Sequence, residues 1–137
     1  RRYTALVWGH VNNDAGMVDA PVGRSGRDPT RMSVSRRGRE ARTRYKVQAR
    51  YDSPAPLTLI ECRLETGRTH QIRVHLSAIG HPVVGDSRYG GKRPELPAGR
   101  PFLHAGRLAF DHPGTGERLD LRSPLPEDLE DLHARAR

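Results

Sequence analysis

A single cysteine, Cys62, in 137 residues rules out an internal disulfide, and its place inside an apolar run suggests a small buried side chain without a redox role. Long apolar runs are missing too. Nothing approaches the roughly 20 residues needed to span a bilayer, and no basic head leads into an apolar stretch of signal-peptide type. The expectation is a soluble, cytoplasmic protein with no membrane partner. Aromatic residues are scarce at 5%, and hydrophobic residues make up 34%, so the chain can build at most one domain around a modest core. Lysine is also rare: only Lys46 and Lys92 stand among 24 Lys and Arg residues.

What is abundant is arginine. A formal charge of +8 and a pI near 10.7 point toward a polyanionic partner, because clustered cations gain affinity by releasing counterions from phosphates. A preference for Arg over Lys can reflect codon composition alone, so the distribution decides. Arg24, Arg27, Arg31, Arg36, Arg37, Arg39, Arg42 and Arg44 crowd into one Gly/Ser/Pro-containing stretch. That pattern suits a loop that tracks phosphates, with Arg36, Arg37 and Arg39 as its densest part.

Periodicity supplies the elements. Arg2 to Trp8 reads as a short strand. Ala41 to Tyr51 alternates, with Thr43, Tyr45, Val47, Ala49 and Tyr51 on one face and Arg42, Arg44, Lys46, Gln48 and Arg50 on a wet, basic one. Asp52 to Pro56 turns the chain, and Leu57 to Leu64 returns as the partner strand. A helix of about ten residues is predicted from Thr69, whose hydroxyl would cap the first turn, with Ile72, Leu76 and Ile79 as its buried stripe and Gly80 and Pro82 as its stop. Phe102 to Phe110 and Glu117 to Arg122 form a second strand pair. A last helix opens at Pro126, Glu127 and Asp128 and buries Leu129, Leu132 and Ala136.

After the third strand and running into the first helix, Arg68 to His75 packs two Arg, two His, a Gln and a Thr into eight positions. A plain connection needs turn residues and an apolar stripe, so this density reads as a ligand-facing surface. Metal is disfavoured, because residues five apart on a helix, as His70 and His75 are, point about 140° apart and cannot act as an i, i+4 ligand pair. A Ser/His/Asp hydrolase is disfavoured as well, since no Ser sits on a glycine-flanked elbow.

The string LETGRTHQIRVHL, followed by GHPVVGD and YGG, closely resembles the C-terminal catalytic block of the RluA/RluD-type pseudouridine synthases, which turn uridine into pseudouridine in structured RNA. The resemblance implies an α+β fold, with a mixed, largely antiparallel sheet, flanking helices and a central RNA cleft. It implies no cofactor and no metal. The partner it implies is RNA, ribosomal first and transfer RNA second. In such enzymes an Asp attacks the nucleotide, and the uracil leaves its sugar, turns, and is rejoined through carbon. A Tyr in a Y-x-A strand stacks on the base and is the candidate for removing the carbon-bound proton, while an Arg in the QIR helix holds the Asp ionised. Arg2-Tyr3-Thr4-Ala5 matches the tyrosine strand, so the resemblance casts Tyr3 and Arg73 in catalytic roles. Arg68, His70 and Gln71 are expected to shape the pocket wall or touch RNA. Asp86 and Tyr89 are expected to brace the loop after the helix, and His104 to be structural.

The family's aspartate lies in an R-L-D-x-x-T-S-G segment upstream of the tyrosine strand, and the residues before Tyr3 hold no such segment. Arg118-Leu119-Asp120 lacks the Thr-Ser-Gly and follows the QIR block, so Asp120 reads as a strand residue. Residues 1–137 are thus expected to be the C-terminal portion of a catalytic domain, inactive alone, with a broad apolar patch where the remainder would pack. The alternative is a non-catalytic RNA-binding module on the same scaffold.

Overall fold

The computed structural model describes residues 1–137, with the side chain of Phe110 left aside. Eight strands and two helices follow in the order β1 (Arg2–Trp8), β2 (Ala15–Asp19), β3 (Val22–Arg24), β4 (Met32–Val34), β5 (Arg42–Tyr51), β6 (Leu57–Leu64), α1 (Gln71–Ala78), β7 (Leu103–Asp111), β8 (Arg118–Arg122) and α2 (Glu127–Ala136). Six strands form one sheet, ordered β2-β5-β6-β1-β7-β8, and β3 with β4 forms a small second one. Every ladder among the described strands is antiparallel.

The centre of the large sheet is covered on both faces, which is why its sequence is continuously apolar there rather than alternating. Ala5, Leu6, Val7 and Trp8 of β1 are all buried, as are Leu57 and Ile60 of β6. Against them pack Ile72 and Leu76 from α1, Leu129 and Ala136 from α2, and Val83, Val84, Leu96 and Phe102 from the connecting segment. A fully buried side chain of this size stabilises by roughly 1.5–3 kcal/mol.

The long strands, the β5–β6 hairpin and α2 lie where the sequence places them. The first helix differs. It begins at Gln71, its N-cap is His70 in the left-handed region at φ 54°, and no side chain caps it, so Thr69 does not play that part. Ile79 is 39% exposed, whereas Gln71, Val74 and His75 are buried beside Ile72 and Leu76. The reason is that α1 has two neighbours. Ile72 and Leu76 face the main core, while Val74 packs with Val22, Ala41 and Tyr89 in a second cluster.

Three short strands escape the sequence reading. β2 carries a glycine where a β-carbon would strike the Tyr45 ring, so its composition masks a strand that needs close approach. The arginine-rich stretch is not a free loop, because β3 and β4 pair within it at Val22↔Val34, Gly23↔Ser33 and Arg24↔Met32. Among the exposed large apolar side chains, Leu108 and Leu121 face each other across β7 and β8, and Met17 and Ile79 line one depression.

Candidate active site

Arg73 projects from α1 toward the loop that follows the helix, and Asp86 meets it there. Nε donates to Oδ2 at 2.7 Å and Nη2 to Oδ1 at 2.9 Å, a two-pronged pair in which the carboxylate is fully buried. Hydrogen bonding to Asp86 raises the Arg73 pKa above its ordinary value. Asp86 is fixed in turn: its Oδ1 accepts the Arg88 N–H, its N–H donates to the Val83 carbonyl, and its carbonyl accepts the Gly91 N–H. Gly91 is required in that turn, because a β-carbon there would overlap the Val83 carbonyl. Asp86 therefore braces the loop and also sets the Arg73 guanidinium, which keeps three further N–H groups for a ligand.

Tyr3 lies on β1 opposite Cys62 of β6 and Ala105 of β7. It lines one cavity of about 250 Å³ with Arg1, Arg68, His70, Leu64 and Arg73. The structure thus brings Tyr3 and Arg73 to one space, although 70 residues of chain separate them. No carboxylate lines that cavity among the described residues, so its wall is cationic. A larger open depression of about 490 Å³ lies by β2, but Glu61 sits in it among Arg44, Lys46 and Arg63, and Arg63 pairs with Glu61 at 3.1 Å.

Gln71 borders the cavity but is 2% exposed, and its amide is used up inside the protein. Its Oε1 accepts from the Thr66 hydroxyl at 2.6 Å and the Arg68 N–H at 3.0 Å, and its Nε2 donates to the Arg42 carbonyl and the Thr43 hydroxyl. Thr43 passes the chain on to His75 Nδ1 at 2.8 Å, and His75 Nε2 lies 2.8 Å from the Ala20 carbonyl. A carbonyl can only accept, so Nε2 carries a proton, and the buried Thr43 hydroxyl, which already accepts from Gln71, sends its own proton to a bare Nδ1, the neutral form. Burial lowers its pKa, consistent with that form. Gln71 and His75 therefore fasten α1 to β5 and to the β2–β3 connection.

His70 lines the cavity and is held by Tyr89. His70 Nδ1 lies 2.8 Å from the Tyr89 hydroxyl, which also accepts the Met32 N–H of β4 at 3.0 Å. The guanidinium carbons of Arg73 and Arg31 lie 5.1 and 5.2 Å from the Tyr89 ring centroid, within cation–π range. Tyr89 was legible only as a brace; its links to both His70 and Arg73 depend on a loop path that periodicity does not encode.

The basic groups elsewhere divide into two sets. Arg36 and Arg37 sit in an exposed turn closed by Gly38 N–H to the Ser35 carbonyl, and Arg39 follows it; none of the three side chains is paired among the described residues. The expected basic face of β5 is largely neutralised. Arg42 pairs with Glu40 and Glu65, Arg44 with Glu65 at 2.8 Å, and Arg50 with Asp14 at 2.9 Å. Arg68 reaches back to the Glu40 carbonyl while remaining on the cavity wall. Asp120 is a β8 residue gripped by Arg107 at 2.8 Å, and His104 bonds the Ser123 carbonyl. Among the described residues no three of His, Cys, Asp and Glu converge as metal ligands, and no helix is long and apolar enough to cross a membrane.

The antiparallel sheet thus sets a strand tyrosine at an arginine-walled cavity. The family model described as RNA pseudouridylate synthase matches residues 1–78, and the chain belongs to that family. It is 48% identical over 132 residues to the uncharacterized RNA pseudouridine synthase YlyB of Bacillus subtilis (strain 168), covering 96% of this chain and 42% of that one. It is 47% identical over 141 residues to ribosomal large subunit pseudouridine synthase D of Nitrosomonas europaea, covering 96% and 39%. Human RNA pseudouridylate synthase domain containing 1 superposes with a TM-score of 0.77 at 31% identity, over 90% of this chain and 53% of that structure. The chain therefore spans about two-fifths of the length of these curated relatives.

Proposed function

We propose that these residues form the C-terminal portion of the catalytic domain of a pseudouridine synthase acting in the cytoplasm on RNA, with ribosomal RNA as the first candidate and transfer RNA as the second. The observation that carries the reading is the convergence of Tyr3 and Arg73 on one cationic cavity in a chain of this family. In this reading Tyr3 supports the extruded uracil by stacking and takes the proton from its ring carbon once carbon has replaced nitrogen in the bond to the sugar. Arg73, aimed by Asp86, offers its free N–H groups to the nucleophilic carboxylate and keeps it charged. That carboxylate comes from a segment outside these residues, in keeping with a cavity wall that has none and with the share of the relatives' length that is matched. Arg36, Arg37 and Arg39, with Arg68 and His70, meet the RNA. The chemistry calls for no cofactor.

A second reading has one observation in its favour: both oxygens of Asp86 already hold Arg73, as a module that only binds RNA would allow. Tritium release from RNA carrying 5-tritiated uridine separates the two. The 137-residue chain alone should release none. The protein extended upstream by a segment with the R-L-D-x-x-T-S-G aspartate should release tritium, and Arg73→Ala should then lower the rate at least a hundredfold with RNA affinity nearly unchanged. An extended protein that binds RNA and releases nothing would establish the non-catalytic module.

A further inference from the structure

His70 is the one non-glycine residue with positive φ among the described residues, at 54°, and it holds that conformation on the wall of the cavity. Its Nδ1 is bound to Tyr89 and its Nε2 has no protein partner among the described residues. The Tyr89 side chain is almost wholly buried, so its hydroxyl proton needs an acceptor. The hydroxyl already takes the Met32 N–H, and the remaining neighbour in reach is His70 Nδ1. Tyr89 therefore donates to Nδ1, which fixes the imidazole with its proton on Nε2.

We infer that Tyr89 is a positioning residue that locks His70 as a neutral Nε2–H donor facing the cavity, where it takes an acceptor oxygen of the bound polynucleotide. This inference rests on the reading of the cavity as an RNA site. The charged groups around His70 favour its neutral form: burial comes first, then Arg73 and Arg88, which outweigh Asp86 in lowering its pKa. The oxygen can belong to a backbone phosphate or to a uracil carbonyl, and both are hydrogen-bond acceptors. The same Tyr89 contacts Arg31 and Met32 of the β3–β4 hairpin, so the arginine-rich arm and the donor share one anchor.

Long-range proton–nitrogen NMR on chain labelled with ¹⁵N-histidine tests the lock, with the His70 signals identified by their loss in His70→Phe. At pH 7.5 His70 should show a bare Nδ1 and a protonated Nε2, and Tyr89→Phe, which keeps the ring beneath Arg73, should mix the two tautomers. A protonated Nδ1 in the unaltered chain would overturn the inference. Fluorescence anisotropy with decauridylate and with an abasic ribose-phosphate decamer tests the donor. His70→Phe should weaken binding by about three- to tenfold, the value of one lost hydrogen bond, while His70→Gln restores part of it. Loss on both oligomers assigns a phosphate, loss on decauridylate alone assigns a uracil carbonyl, and no loss on either refutes the donor role. If the unaltered chain binds neither oligomer, the RNA reading and the donor role fall together, and the nitrogen shifts alone judge the lock.

Discussion

Asp86 holds Arg73 by both carboxylate oxygens, at 2.7 and 2.9 Å, from a turn that is itself closed by three backbone hydrogen bonds. A guanidinium on a helix otherwise has four rotatable bonds, and here a buried anion spends the side-chain entropy before any ligand arrives. The pair thus serves the site by fixing direction as much as by contributing stability.

Asp86→Ala should destabilise the chain by about 2–4 kcal/mol, toward the lower part of the range for breaking a buried pair because Arg73 retains some contact with water. Urea unfolding followed by circular dichroism gives the difference. Asp86→Asn should cost less, since its amide oxygen still accepts one bond. A loss below about 0.5 kcal/mol for Asp86→Ala would place the pair among surface salt bridges.

Gln71→Leu keeps the size of the side chain while stranding the Arg68 N–H, the Thr66 hydroxyl and the Arg42 carbonyl, so a loss of about 2–3 kcal/mol is expected. The same urea titration measures it. Exchange of the Arg68 amide with solvent deuterium should also speed up, which ties the loss to the amide clamp rather than to packing.

The contrast between Tyr3 and Gln71 shows how far the sequence can be read. Tyr3 was legible because a strand tyrosine in a recognisable string fixes both its element and its direction. Gln71 stands in an equally recognisable string, yet the sequence does not disclose whether an amide points into a cleft or closes a turn. That depends on Thr66 and Thr43, which come from the turn before the helix and from a strand 28 residues earlier. Arg73 was legible as a cavity residue, while its Asp86 partner was read only as a loop brace. The long strands were visible as period-two or continuous apolar runs. β3 and β4, at three residues each, are too short to show any period. The basic face of β5 was visible as charge, but its neutralising partners Glu65 and Asp14 come from other segments, so spacing within the strand gave no warning of them.

Stability should fall as pH drops from about 6.5 toward 5. His75 is buried and hydrogen-bonded in its neutral form, and its pKa in the fold lies below the ordinary 6.5. The unfolded chain therefore takes up the proton first. The stabilisation is complete above the unfolded value and is lost as pH falls toward the folded one. His70 and His133 are shifted in the same direction, mainly by burial, and add to the slope. Chemical denaturation at half-unit steps of pH should show the decline, and His75→Gln should flatten it although the variant is less stable overall.

Salt dependence of RNA affinity should distinguish the free arginines from the paired ones. Each phosphate neutralised on a single strand contributes about −0.7 to the log–log slope, so Arg36, Arg37 and Arg39 changed together to Ala should lower its magnitude by about 2. Arg44→Ala and Arg50→Ala should change it little, because Glu65 and Asp14 already compensate those charges. Filter binding across a salt series gives the slopes directly. Equal slopes for the triple variant and the unaltered chain would mean that the exposed turn does not touch the RNA, and would move the contact to the cavity wall around Arg68 and Arg73.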